Sequence, residues 1–218
     1  MLAVPGTMVT MSGPVRRRPV QQRSRDRYER ILDCCAELLD EVGYTAATTK
    51  EIARRAEVPI GTIYQFFPDK VALVGALAVR NLDAYLARLT TKVEAEPPEG
   101  IADLVDAAVE EFVAMKRTVP GFGVVDFGAG GRSDESLDGQ DHILDEVMDN
   151  NEVVAVRLRE LRDSLFGPAQ PDLAIPLRVA LECADGVLKL AFRMDPKGDP
   201  RVIAECKLLL RRYLTPDR

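Results

Sequence analysis

The sequence predicts an all-α fold of about nine helices, a small N-terminal three-helix unit followed by a larger helical body. Three observations carry that prediction. Apolar residues recur at i, i+3, i+4 and i+7 through most of the 218 residues, and no run alternates apolar and polar residues long enough for a convincing strand. Helix start and stop signals crowd the residues before Lys70 at the spacing of short helices. Charge is divided unevenly: residues 16–70 hold eleven basic and nine acidic side chains, whereas the rest of the chain holds 18 basic and 26 acidic. Seven arginines stand between Arg16 and Arg30 against only Asp26 and Glu29, an arrangement suited to a head that meets a polyanion and a body that repels one.

Composition excludes several classes. At 46% hydrophobic and 29% charged, the chain is neither disordered, collagen-like nor a coiled-coil rod. No stretch approaches the roughly 18 consecutive apolar residues of a membrane-spanning helix, and residues 1–15 lack the charged start and apolar core of a signal peptide. A cytoplasmic protein without membrane contact is therefore expected. The length suffices for a core without disulfide staples. Cys34, Cys35, Cys183 and Cys206 show no CxxC spacing and read as small core residues, so neither a metal nor a cofactor is expected.

The elements follow in order. Residues 1–22 form a basic flexible arm. Tyr28, Ile31, Leu32, Cys35, Leu38, Leu39 and Val42 keep helical spacing, and Gly43 supplies the stop. Thr48 with Glu51 forms a capping box for a short second helix carrying Ile52, Ala53 and Ala56. Pro59 interrupts, and a third short helix with Ile63 and Phe67 on its inner side runs to Pro68. Asp69 caps a fourth helix, from about 70 to 94, that links the head (23–70) to the body (71–218) and ends before Glu96-Pro97-Pro98. A helix from about 100 to 117 precedes a glycine-rich stretch from Gly121 to Gly139, expected to hold a short helix and a loop. Helices at about 140–165, 172–194 and 198–213 complete the chain.

Residues 48–70 place two short helices on either side of a tight turn, the spacing of a helix-turn-helix. Small contacts at Ile52, Ala53, Ala56, Val58 and Ile63 pin such a pair together and free the outer face of the second helix for a DNA major groove. On Val42-Gly43-Tyr44, Thr48-Thr49, Ile52-Ala53, Gly61-Thr62-Ile63-Tyr64 and Phe67-Pro68-Asp69-Lys70, the chain resembles the TetR family of transcriptional regulators over residues 24–75. The resemblance implies an N-terminal DNA-binding domain and a C-terminal helical domain for ligand binding and dimerisation. Position by position, it implies that Thr48 or Thr49, Tyr64 and Lys70 contact phosphates, that Gly61 allows close approach to the duplex, and that Thr62 and Gln65 face the groove. Lys50, Pro59 and Ile60 complete the expected DNA-facing set.

The chain departs from the family pattern twice. Glu57 stands in the turn where glycine is usual, which either demands a left-handed backbone at a cost of about 1 kcal/mol or shifts the turn slightly. Pro59 replaces the usual serine cap, so a cap-to-phosphate contact is lost. Gln65 stands where histidine, arginine or asparagine is common. Arg16, Arg17 and Arg18 either reach into a minor groove, lie along the DNA backbone or form a solvated tail.

For the body the residues say less. Phe112, Met115, Phe122, Phe127, Met148 and Val153 line either an apolar pocket, as the resemblance implies, or plain core; the sole histidine, His142, reads as a surface or pocket-rim residue. Ala180, Ala184, Val187, Leu188, Ala191, Leu208 and Leu209 supply more apolar surface than one side of each of the last two helices needs, and the resemblance implies a homodimer interface there. Two heads would then read a near-palindromic operator. The leading expectation is a sequence-specific DNA-binding repressor released by a small, largely apolar effector. A DNA-binding regulator with no ligand remains the alternative. An enzyme body is less favoured, because one histidine and no nucleophile motif leave little to catalyse with.

Overall fold

The computed structural model describes residues 22–125, 150–168 and 173–215, among which eight helices and no strand occur. The short helix expected in the glycine-rich stretch lies largely outside the described residues. So do Arg16, Arg17, Arg18, Phe127, His142 and Met148, and the side chain of Val153.

Helix α1 (Gln22–Ala46) buries Ile31, Leu32, Cys35, Ala36, Leu38 and Leu39 at helical spacing. At Gly43 the backbone takes φ 72° and the helix kinks before a last turn. Helix α2 (Thr49–Arg55) starts as expected, with Thr48 Oγ1 accepting the Glu51 N–H at 3.2 Å. Its end is closed by two returning bonds, Val58 N–H to Ala53 O at 3.0 Å and Glu57 N–H to Arg54 O at 3.3 Å. Glu57 sits between them at φ 53°, the only positive φ outside glycine among the described residues. Of the two alternatives read from the sequence, the left-handed backbone is the one present, held by the bonds on either side.

Helix α3 (Ile60–Phe66) begins at Pro59, which takes the cap position without a side-chain bond, and Pro59 O accepts the Thr62 N–H at 2.8 Å. Phe67 was expected on the inner side of this helix. It is buried instead as the residue that ends it, its N–H returning to Ile63 O at 2.8 Å, and Phe66 takes the last helical position facing the core. Helix α4 (Lys70–Ala95) is capped by Asp69, whose Oδ1 accepts the Ala72 N–H at 2.8 Å. The first turns of α4, Ala72 to Ala78, close a head core with Leu32, Leu39, Ile52, Ile63 and Phe67. The Tyr28 ring packs at 5.7 Å from Phe66 and 5.2 Å from Phe67, tying α1 to the end of α3.

The rest of α4 enters the body. Helices α5 (Ile101–Thr118), α6 (Asn150–Phe166), α7 (Ala174–Met194) and α8 (Pro200–Leu214) follow. Helix α5 serves two cores. Leu104 and Met115 pack with Leu82, Tyr85, Leu89 and Val93 of α4, Phe122 and Val154. Val105, Val109 and Val113, on the other side, pack with Ala180 and Leu188 of α7 and with Cys206, Leu210 and Leu214 of α8. The carboxylate of Glu110 bridges Lys92 of α4 at 2.7 Å and Lys207 of α8 at 2.6 Å, which holds it below the usual carboxylate range.

The turn after α5 joins head and body. Phe122 enters the body core, and three residues later Val125 enters the head core, where the Asn81 side chain donates to its carbonyl at 2.6 Å. Gly121 makes this possible, because at φ 75° a Cβ there would lie 2.8 Å from Ala36 Cα.

Candidate nucleic-acid interface

Ile63 and Phe66, three residues apart, anchor the inner stripe of α3, which turns Ile60, Gly61, Tyr64 and Gln65 outward. Ile60 is 41% and Tyr64 42% exposed. Thr62, expected to point outward beside Gln65, is only half-buried rather than exposed, near the corner its own N–H makes with Pro59. A Cβ on Gly61 would meet nothing within 4 Å. Packing inside the chain therefore gives no reason for glycine at a helical position where it costs up to about 1 kcal/mol relative to alanine.

The N-terminus of α2 lies beside this face. Thr49 Oγ1 and Tyr64 Oη are 3.4 Å apart, so two hydroxyls from different helices share one edge of the head. The Thr48 hydroxyl accepts from the helix and keeps its own proton to donate, and the first N–H groups of α2 have no partner within the helix. Lys50 is exposed. Lys70 is part-buried at the head of α4: its Nζ donates to Tyr44 O at 2.5 Å and lies 4.0 Å from the centroid of the Tyr44 ring. Burial lowers its pKa from the usual lysine value. Tyr44, which had no expected role beyond the motif, fixes where this ammonium sits.

Neighbouring charges are arranged in the same region. Arg54 and Arg55 bind Glu51 at 2.7 and 3.1 Å and hold its pKa down to about 2, so it stays ionised across the working range of pH. Arg55 is spent inside the head, because it also binds Glu41 of α1 at 2.6 Å. Arg54 is 71% exposed and stands four residues after Lys50 on the outer face of α2. Sequence reasoning passed it over; its i, i+4 spacing from Lys50 was the available signal.

The body candidates divide differently. Met115 and Phe122 are fully buried, and Phe112 is half-buried with its ring 5.3 Å from Phe122 in an edge-to-face contact. Ala180, Leu188 and Ala191, expected at an interface between copies, are buried inside the chain; Ala180 and Leu188 belong to the core that α7 shares with α5 and α8. Ala184, Val187 and Leu208 are half-buried, and Leu209 is exposed. The apolar residues that α7 and α8 leave uncovered are Ile175, Val179, Leu190, Met194, Leu209 and Tyr213. Among the described residues no group of His, Cys, Asp and Glu has the arrangement of a metal site, and no helix is long and apolar enough to cross a membrane.

Residues 31–77 match the family model described as bacterial regulatory proteins, tetR family, and residues 99–217 match the tetracyclin repressor-like, C-terminal domain. The HTH-type transcriptional regulator UidR of Escherichia coli (strain K12) is 30% identical over 175 residues, covering 78% of this chain and 83% of its own. The HTH-type transcriptional repressor KstR of Rhodococcus jostii is 46% identical over 55 residues, 25% of this chain and 26% of its own. A TetR-family transcriptional regulator from Streptomyces coelicolor has a similar structure, with a TM-score of 0.73 and 41% identity over 86% of this chain and 97% of that one. The head with its outward α3 face, the helical body and these matches over both regions agree: the chain belongs to the TetR family of DNA-binding transcriptional regulators.

Proposed function

We propose that the protein is a homodimeric repressor that holds a near-palindromic operator until a small, largely apolar effector binds the body. The observation that carries the DNA side is Gly61, a helical glycine that nothing inside the chain requires, set between exposed Ile60 and exposed Tyr64. A duplex approaching α3 supplies the missing reason, since a side chain there would hold the groove floor away. On this reading Thr48, Thr49, Tyr64 and Lys70 hold phosphates, Lys50 adds charge, and Thr62 and Gln65 read base edges. Arg16, Arg17 and Arg18 add basic charge ahead of the head.

The uncovered apolar stripe on α7 and α8 supports a second copy as its partner, because two such helices from each chain bury one another's exposed side chains. The turn at Gly121 to Val125, seated in both cores, supports coupling between body and head. The experiment is binding to the DNA upstream of the protein's own gene across a salt series, with Tyr64→Ala and Lys70→Ala variants alongside. Tight binding that weakens with salt, and whose salt slope falls by about 1 when Lys70 is removed, is expected. Equal, weak binding by wild type and variants there and in a random-sequence selection overturns the proposal.

A further inference from the structure

Helix α1 has no basic residue in its last turn, so its closing carbonyls take partners from elsewhere. One partner comes from α4. Lys70, the first residue of that helix, donates from Nζ to Tyr44 O at 2.5 Å, and the same ammonium lies 4.0 Å from the centroid of the Tyr44 ring. Tyr44 directly follows the non-helical backbone of Gly43, and the kink there turns the carbonyl and the ring together toward α4. A cation at the start of a helix opposes that helix's own dipole, whereas the carbonyl end of α1 favours it.

These partners hold the ion without cancelling it. Arg54, Arg55 and Arg80 of the head are each bound by carboxylates, those of Glu51, of Glu41 and Glu51, and of Glu29 and Asp33. A carbonyl and a ring face are neutral, and the carbonyl takes only one of the three ammonium donors. The neighbouring carboxylate, Asp69, turns its Oδ1 to the Ala72 N–H at 2.8 Å. Burial at this junction has also stripped part of the water from the ammonium, which lowers the Lys70 pKa from the usual value. The place is the edge that carries the hydroxyls of Thr48 and Thr49: four residues of chain, at most about 3.6 Å each, separate Tyr44 from Thr48. The chain between them is folded back further by the bond from Ala47 N–H to Gly43 O at 3.2 Å.

We propose that the Tyr44 ring is a positioning group for DNA binding, holding the Lys70 ammonium at the junction of α1 and α4 so that a phosphate meets a charge already in place. This rests on the reading of Lys70 as a phosphate contact. A lysine on a free stem loses rotamer freedom when a phosphate fixes it, and a lysine held in advance loses less.

The test is a double-mutant cycle on the full-length protein: wild type, Tyr44→Leu, Lys70→Ala and the pair, with Tyr44→Phe as the conservative variant. Each is titrated at low salt with a duplex from upstream of the protein's own gene and with a random-sequence duplex. Tyr44→Leu is expected to weaken binding about threefold to tenfold when Lys70 is present and less than about twofold when position 70 is alanine. Tyr44→Phe, which keeps the ring face, is expected within about twofold of wild type. The inference is overturned if Tyr44→Leu binds as wild type does, or if Tyr44→Phe loses as much as Tyr44→Leu. It also falls if Tyr44→Leu loses as much with alanine at position 70 as with lysine, which marks a tyrosine that only keeps the head folded. Lys70→Ala matching wild type on both duplexes overturns the phosphate reading of Lys70 together with this inference. Weakening by Lys70→Ala with no effect of Tyr44→Leu leaves that reading standing while this inference falls.

Discussion

The outer face of α3 and the outer face of α7 and α8 are both exposed, and they carry opposite chemistry. On α3 the exposed positions are a glycine, a tyrosine, a glutamine and one isoleucine, flanked by the hydroxyls of Thr48 and Thr49 and by Lys50. On α7 and α8 they include Ile175, Val179, Leu190, Met194, Leu209 and Tyr213. A polar face with a flat centre fits a hydrated, charged groove, where phosphates fix register and hydrogen bonds read sequence. An apolar stripe of that size gains nothing from water or phosphate and is satisfied by another apolar surface. The difference teaches that one small head and one large body can divide two binding tasks by the kind of side chain each leaves uncovered.

Three changes break or sharpen this contrast. The largest effect is expected from Val179→Asp combined with Leu190→Asp. Two carboxylates on the apolar stripe should leave a folded monomer by analytical ultracentrifugation, and operator affinity should fall about 100-fold or more because the two half-sites are no longer gripped together. A dimer that survives both charges sinks the second-copy reading of that face. Gly61→Ala is next, and its two readouts should move in opposite directions. Helix propensity favours alanine by up to about 1 kcal/mol, and a Cβ there meets nothing in the chain, so melting temperature should hold or rise. Operator affinity should nonetheless drop, and unchanged affinity would mean the duplex does not approach α3 at that point. The smallest effect belongs to Glu57→Gly, which relieves a left-handed backbone at φ 53°. A gain of about 1 kcal/mol in denaturant unfolding with no change in operator binding is expected; a loss would show that the glutamate side chain contributes more than its backbone costs.

The head was more legible in the sequence than the body because its signals are local. Thr48 and Glu51 sit three residues apart, and the capping bond forms between those same residues. Asp69 caps α4, Gly43 breaks α1, and Glu57 takes the backbone that its place in the turn demands. In the body, helical spacing showed that α7 and α8 are apolar but not which side faces in. Ala180, Leu188 and Ala191 look from their small size or spacing like residues for a partner, yet they are buried within the chain itself. The residues left exposed were set by how α7 lies against α6 and α8, and α8 against α5, a long-range fact. Phe127, His142 and Met148 lie outside the described residues.

By itself the sequence determined the all-α class, the caps of the second and fourth helices, the helix-turn-helix spacing and the family. Each depends on residues within a turn or two of one another, where capping bonds, proline and glycine act without help from the rest of the chain. Only the tertiary structure decided that Lys70 rests on Tyr44, that Gly121 brings the body against Ala36, and that Glu110 bridges α4 and α8. Those depend on which distant side chains meet, and pairing across a packed core is set by shape and charge summed over several helices rather than by any one segment's pattern.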